Sequence, residues 1–175
     1  KTIFNWKYIK PKKINRDISD IILEDNFKKA LIRLNPDIKK HHEFTDQVIY
    51  KLKIILNSVS EVGLVKANEE FLEWLRGEKT MPFGKNNQHV NVKLIDYDNL
   101  INNEYLITNQ LVIKSFEMKK PDIVLIINGI PVVVGEAKTP IRPAVSWLDG
   151  AHEIHNIYEN SIPQLFVPNI LSFAT

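Results

Sequence analysis

The 175-residue sequence contains no cysteine. That absence excludes a disulfide framework and a thiolate zinc site, and it fits a reducing compartment. No apolar run approaches the ~20 residues of a membrane span, and the first residues carry no signal-peptide pattern, so the expected setting is the cytoplasm with no membrane partner. Charge of one sign is also scarce. Lys and Arg number 23 against 21 Asp and Glu, a net +2, so bulk charge does not announce a nucleic-acid binder and any such surface must be local. Internal repeats, low-complexity segments and a G-x-x-x-x-G-K-[ST] phosphate loop are all missing as well. The chain starts at Lys1 rather than methionine and stops at Thr175 inside an apolar stretch, which leads us to expect a piece of something longer.

The length suits one domain with a substantial core, and the pattern divides it into a helical extension over 1–62 and an α/β core over 63–175. Leu23, Phe27, Ala30, Leu31 and Leu34 repeat at helical spacing up to Asn35-Pro36. Val48, Leu52, Ile55 and Val59 do so before Gly63. Asn68 is placed to cap a short helix holding Trp74 and Leu75. From His89 the period becomes two, giving a strand through Val90, Val92 and Leu94 and another over 105–113. After Pro140 and Pro143, Ser146 and Asp149 form a capping-box pattern for a helix to about Asn160, and Leu165 to Val167 begins a last strand. Helix, strands, helix, strand implies an α/β fold with a central mixed β-sheet flanked by helices.

What is present and unusual lies in Pro121-Asp122, then Ile123 to Ile127, Asn128-Gly129, Ile130 to Val134, and Gly135-Glu136-Ala137-Lys138. The two β-branched runs read as central strands covered on both faces. Asp122, Glu136 and Lys138 sit at their edge, where desolvating a charge costs several kcal/mol unless something compensates it. Two carboxylates and a lysine fit a divalent-cation site of the kind Mg²⁺ occupies. Glu136 and Lys138 face the same way on a strand. A plain two-residue hairpin at Asn128-Gly129 would set Asp122 opposite Gly135, with Glu136 on the other face. A loop of odd length or one bulge sets Asp122 opposite Glu136, and this is the expectation. Spacing alone does not separate the metal site from an ordinary hairpin with solvated end charges.

The stretch Asn128-Gly-Ile-Pro-Val-Val-Val-Gly-Glu-Ala-Lys138 resembles the N-terminal part of the restriction (R) subunit of type I restriction-modification enzymes, a PD-(D/E)xK nuclease. Tyr158-Glu, Ile162-Pro, Leu165-Phe166-Val-Pro-Asn169 and Ser172-Phe-Ala-Thr175 extend the likeness. So do Asn35-Pro36-Asp37, Gly63 to Phe71 and Trp74 to Gly84, so that it covers most of the chain from about residue 20. The resemblance implies a PD-(D/E)xK restriction-endonuclease-like fold and Mg²⁺-dependent cutting of double-stranded DNA. It also implies methylation and specificity subunits as partners and an ATP-driven motor outside these residues. It assigns Asp122 and Glu136 as metal-binding carboxylates, Lys138 as catalytic lysine, and the Ala137 carbonyl as a further metal ligand. Relatives carry a glutamine a few residues before a tyrosine on the next helix. Here Tyr158 is present and Glu153 stands nearest the glutamine position. Rival readings are a nuclease of the same fold in DNA repair or defence, and a non-catalytic DNA-binding module.

Other residues have ordinary alternatives. His152-Glu153-Ile-His155 lacks the four-residue spacing of zinc proteases and reads as a polar helix face. Glu70 is a candidate helper carboxylate or, more ordinarily, a solvated one. Trp74, Trp147 and Phe166 are expected in the core. Lys119, Lys120 and Arg142 flank the motif as candidate phosphate contacts or solvated charges.

Overall fold

The computed structural model describes residues 5–138 and 146–175. A short strand β1 (Lys7–Tyr8) precedes four helices, α1 (Glu24–Leu34), α2 (Pro36–Lys40), α3 (Phe44–Val62) and α4 (Leu64–Leu75). Strands β2 (Thr80–Met81), β3 (Val90–Asn91), β4 (Tyr105–Asn109), β5 (Ile113–Lys114), β6 (Met118–Lys119), β7 (Ile123–Ile127) and β8 (Ile130–Glu136) follow. The chain then crosses over through α5 (Trp147–His152), a π-helical turn (Glu153–Tyr158), α6 (Glu159–Ser161) and α7 (Pro163–Phe166) to β9 (Leu171–Ala174).

The main sheet has the order β1-β4-β7-β8-β9. β4, β7 and β8 are antiparallel neighbours, while β1 and β9 add in parallel on the two edges. The parallel β8–β9 pair needs a crossover connection, which the helices supply. This is a mixed sheet flanked by helices, with β7 at its centre as expected. Coverage of β7 is uneven, however. Val124 and Ile126 are fully buried, whereas Ile123, Leu125 and Ile127 on the other face are half-buried.

The helical periods do what they predict. α1 buries Phe27, Ala30 and Leu31, and α3 buries Val48, Ile49, Leu52, Ile55, Leu56 and Val59. Pro36 occupies the first turn of α2, where its missing N–H costs nothing, and Gly63 at φ 85° breaks α3 from α4. These helices, the buried sheet residues and Ile154 to Val167 form one hydrophobic cluster.

Four expectations need correction. Asn68 does not cap a helix; it lies inside α4, and its Nδ2 donates to the carbonyls of Val167 at 2.8 Å and Asn169 at 3.0 Å, tying α4 to the chain before β9. The 105–113 run is cut at Gln110, whose φ of 51° ends β4 early. Of the run from His89, only Val90 and Asn91 are strand, and they pair with β2 outside the main sheet. Leu165 sits in α7 rather than a strand because Pro163 starts a helical turn there, and the strand begins at Leu171. Among the described residues no helix is long and apolar enough to cross a membrane.

Candidate functional site

The site is built by the hairpin that joins β7 and β8. Asn128 and Gly129 have φ of 52° and 85°, the pair of positive values that a tight turn of matching twist requires. The Asn128 side chain, fully buried, supports that turn with four bonds. Its Oδ1 accepts from the Glu104 N–H at 2.8 Å and Arg33 at 3.0 Å, and its Nδ2 donates to the Leu94 carbonyl at 2.9 Å and Asn103 at 2.8 Å. Gly129 is required for space as well, since a Cβ there would stand 2.6 Å from the Leu23 carbonyl.

Beyond the turn the register shifts. Ile126 pairs with Pro131, but Leu125 pairs with Val133, so Val132 is an extra residue in β8. Pro131, which has no N–H for the ladder, sits at this irregularity. Further along, Ile123 pairs with Gly135, and continuing the ladder sets Asp122 opposite Glu136. The hairpin therefore has the two-residue turn together with the bulge that brings the two acids onto one face.

Each acid is held differently. Asp122 is half-buried just before β7; its Oδ2 accepts the Ala137 N–H at 3.1 Å, and its Oδ1 accepts from Gln110 Nε2. Glu136 ends β8 and is 4% exposed. Lys138 Nζ donates to Glu136 Oε1 at 2.9 Å and to Glu153 Oε2. The Tyr158 hydroxyl lies 3.1 Å from Glu136 Oε2 and 2.9 Å from Glu153 Oε1. Two carboxylates thus share the same two donors. Strand β9 completes the frame, because Lys138 N–H donates to the Thr175 carbonyl at 2.7 Å and Thr175 N–H to the Glu136 carbonyl at 3.0 Å.

The π-helical turn makes this sharing geometrically possible. Glu153 and Tyr158 are five residues apart. In an α-helix such residues point about 140° apart. The wider turn, closed by i→i+5 bonds, brings both onto one face toward the sheet. Gly150 in α5 allows the approach, since a Cβ there would lie 3.1 Å from Ala174 Cβ and 3.4 Å from Lys138 Cγ. The capping box foreseen at the start of this helix is formed, with Ser146 N–H donating to Asp149 Oδ2 at 2.6 Å.

The environment drives the ionisable groups apart. Burial raises the Glu136 pKa above its ordinary 4.5; the Lys138 hydrogen bond opposes this, while the charges of Asp122 and Glu153 reinforce it. Burial also works to raise Glu153, but its bonds from Lys138 and Tyr158 outweigh that and hold it below the usual range. For Lys138 burial favours the neutral form, yet Glu153 and Glu136 more than compensate, so the amine stays charged. Burial and then Glu153 push the Tyr158 hydroxyl up, so it is a donor at neutral pH. Three carboxyl groups thus converge around one ammonium, and their oxygens are of the kind that suits a hard cation.

The sequence candidates divide. Asp122, Glu136, Ala137, Lys138, Glu153 and Tyr158 come together. Lys119, ion-paired to Glu117 at 2.7 Å, is near enough for its charge to act on Glu153, and Lys120 is exposed beside it. Arg142 lies outside the described residues. Glu70 is exposed on α4, where its charge acts on Lys79; no hydrogen bond or ion pair among the described residues joins it to Glu136 or Lys138. Trp74 and Phe166 are buried as expected, but Trp147, at the start of α5, is 59% exposed, as is Leu148 beside it. His152 contacts Asn156 at 2.7 Å and His155 contacts Glu159 at 3.0 Å, both exposed. Among the described residues no group of three or more His, Cys, Asp or Glu is arranged to hold a metal by itself. Gln110, the partner of Asp122, carried no sequence signal; it follows β4 with a φ of 51°.

Comparison with known proteins places these residues in a lineage. Residues 2–175 match the model of a family described as the type I restriction enzyme R protein N terminus. Over 158 residues, 87% of the chain, it is 30% identical to the type I restriction enzyme HindI endonuclease subunit of Haemophilus influenzae. Over 153 residues, 84% of the chain, it is 28% identical to the "Putative type I restriction enzyme MjaIXP endonuclease subunit" of Methanocaldococcus jannaschii. The matched part spans 14% of the length of each of these relatives.

Proposed function

The chain belongs to the family of type I restriction enzyme R protein N-termini, and from that premise we propose that its site is a Mg²⁺-dependent endonuclease centre of the PD-(D/E)xK fold, acting on double-stranded DNA. The observation that supports this reading best is the bulged register that sets Asp122 opposite Glu136, with the Lys138 amine 2.9 Å from Glu136 Oε1.

Asp122, Glu136 and the Ala137 carbonyl would hold the cation, a few oxygen ligands that leave room for water and phosphate. The chemistry such a cation supplies is polarisation of a phosphate oxygen and a lower pKa for a coordinated water. The protein's own groups do the rest. Gln110 and the Ala137 N–H fix the Asp122 carboxylate in place. Lys138, kept charged by Glu136 and Glu153, is positioned to orient the attacking water and to offset charge developing on the phosphate. Lys119 and Lys120, just before the motif, and Arg142, which follows it in sequence, are the basic residues that would bind the DNA backbone. On the resemblance read from the sequence, an ATP-driven motor outside these residues and the methylation and specificity subunits would work alongside this domain in the cytoplasm.

The test is Mg²⁺-dependent cleavage of duplex DNA by the full-length subunit in its complex, comparing wild type with Asp122→Ala and Lys138→Ala. Both variants are expected to fold and to lose cutting. Removing Asp122 leaves an exposed Ala137 N–H open to water and relieves repulsion with Glu136. Unfolding of the Asp122→Ala protein, or undiminished cutting by it, refutes the assignment.

A further inference from the structure

Both oxygens of Glu136 lie within hydrogen-bond distance of donors. Oε1 accepts from Lys138 and Oε2 lies 3.1 Å from the Tyr158 hydroxyl. Turning the Glu136 carboxylate to grip a cation would draw these oxygens away from the two donors. Each donor already has a second acceptor, and both acceptors are oxygens of Glu153, with Tyr158 2.9 Å from its Oε1 and Lys138 bonded to its Oε2. We propose that Glu153 is a positioning residue that takes over the Lys138 and Tyr158 donors as Glu136 turns to the cation. This rests on the reading of the site as a Mg²⁺ centre.

The assignment explains why a carboxylate stands here. Two donors arrive at two separate oxygens, and an ammonium needs a charged acceptor to replace the one it leaves. An amide at this position offers one acceptor oxygen and turns a pair of N–H groups toward the donors. The π-helical turn has the same purpose, because without it Glu153 and Tyr158 would not share a face. Glu153, with 30% of its side chain exposed, is also less dehydrated than Glu136 at 6%, so it can keep both donors without a large burial penalty.

The experiment is calorimetric titration of Mg²⁺ into this 175-residue chain without DNA, with thermal unfolding in EDTA as a check on folding. Glu153→Gln is expected to weaken Mg²⁺ binding about tenfold in the otherwise native chain and Glu153→Asp, which keeps two acceptor oxygens, to weaken it less. In a Lys138→Met/Tyr158→Phe background, where Glu136 has no donors to release, Glu153→Gln is expected to change binding less than twofold. An equal loss in both backgrounds makes Glu153 a ligand or a distant charge and overturns the proposal, as does no loss in the native chain. A Glu136→Ala control separates the two levels. If it leaves Mg²⁺ binding intact, the metal-centre reading fails too; if it abolishes binding while Glu153→Gln is silent, only the present proposal fails.

Discussion

Replacing Lys138 by methionine probes the electrostatics of the site most directly. Lys138 Nζ and Glu136 Oε1 are 2.9 Å apart, with side-chain exposures of 20% and 6%. At an effective dielectric near 20, Coulomb's law puts the gross attraction at about 6 kcal/mol, most of which offsets the desolvation of both groups. Removing the lysine strands a buried carboxylate that already titrates above 4.5. Breaking a fully buried pair costs about 3–5 kcal/mol; the partial exposure of Lys138 and the remaining Tyr158 hydroxyl reduce the expected loss to about 2 kcal/mol at pH 8. The sign of the pH dependence follows. Glu136 has a raised folded pKa, so between 4.5 and that value the native state binds more protons than the unfolded state, and stability rises as pH falls. The Lys138→Met deficit must therefore shrink between pH 8 and pH 5, as protonation removes the stranded charge. Glu136→Gln, added to Lys138→Met, should recover most of it. Urea denaturation of the four proteins of this cycle in EDTA, at both pH values, measures each quantity. A deficit that is the same at pH 5 and 8, and untouched by Glu136→Gln, would refute the picture of Glu136 as a buried charge held by Lys138.

Two further perturbations test the frame around the site. Asn128→Ala removes four hydrogen bonds from a fully buried side chain and places alanine at φ 52°, which should destabilise the domain by about 3–4 kcal/mol; Asn128→Gly, free of the backbone strain, should lose about 1 kcal/mol less in the same denaturation assay. Asp96 is held down to about 2, chiefly by the Asn102 side chain and then the Asn99 N–H, with Lys93 adding to the effect. Its stabilising contribution is complete above 3.8 and disappears as pH falls toward 2, so Asp96→Asn should flatten the acid limb of the urea midpoint between pH 4 and 2.

The hairpin shows what a sequence can reveal about a site. Asn128-Gly129 declares a tight turn because few other pairs tolerate two positive φ values. The charges at 122, 136 and 138 then demand a shifted pairing if they are to meet, so a loop of odd length or a bulge follows from arithmetic, and the structure shows the bulge. What was not legible depends on a competition between local pattern and tertiary contact. The alternation of Val90, Val92 and Leu94 has the period of a strand, yet Val92 and Leu94 are buried in the core outside any ladder. Leu165 to Val167 is apolar and short, and nothing in its composition distinguishes a strand from the helical turn that Pro163 begins. Trp147 has apolar company in sequence but sits in the first turn of α5 with its side chain exposed, a placement that no periodicity encodes.

The π-helical turn belongs to this second class, and it bears on function as well as on fold. Glu153 and Tyr158 are both sequence candidates, yet a regular α-helix would point them about 140° apart and bring only one of them to the site. A wider turn gives up regular i→i+4 bonding, an arrangement seldom kept unless something else compensates. Here the compensation is visible in the bonds that Glu153 and Tyr158 make to Lys138 and Glu136 across the sheet. The bulge at Val132 in β8 and the π-helical turn are the same device applied to two kinds of element: each adds one residue to a regular repeat. Each also rotates a carboxylate from a divergent direction onto the face that holds Lys138. A strand and a helix adjusted in this way toward one ammonium indicate that the position of Lys138, more than the regularity of either element, is what this part of the fold maintains.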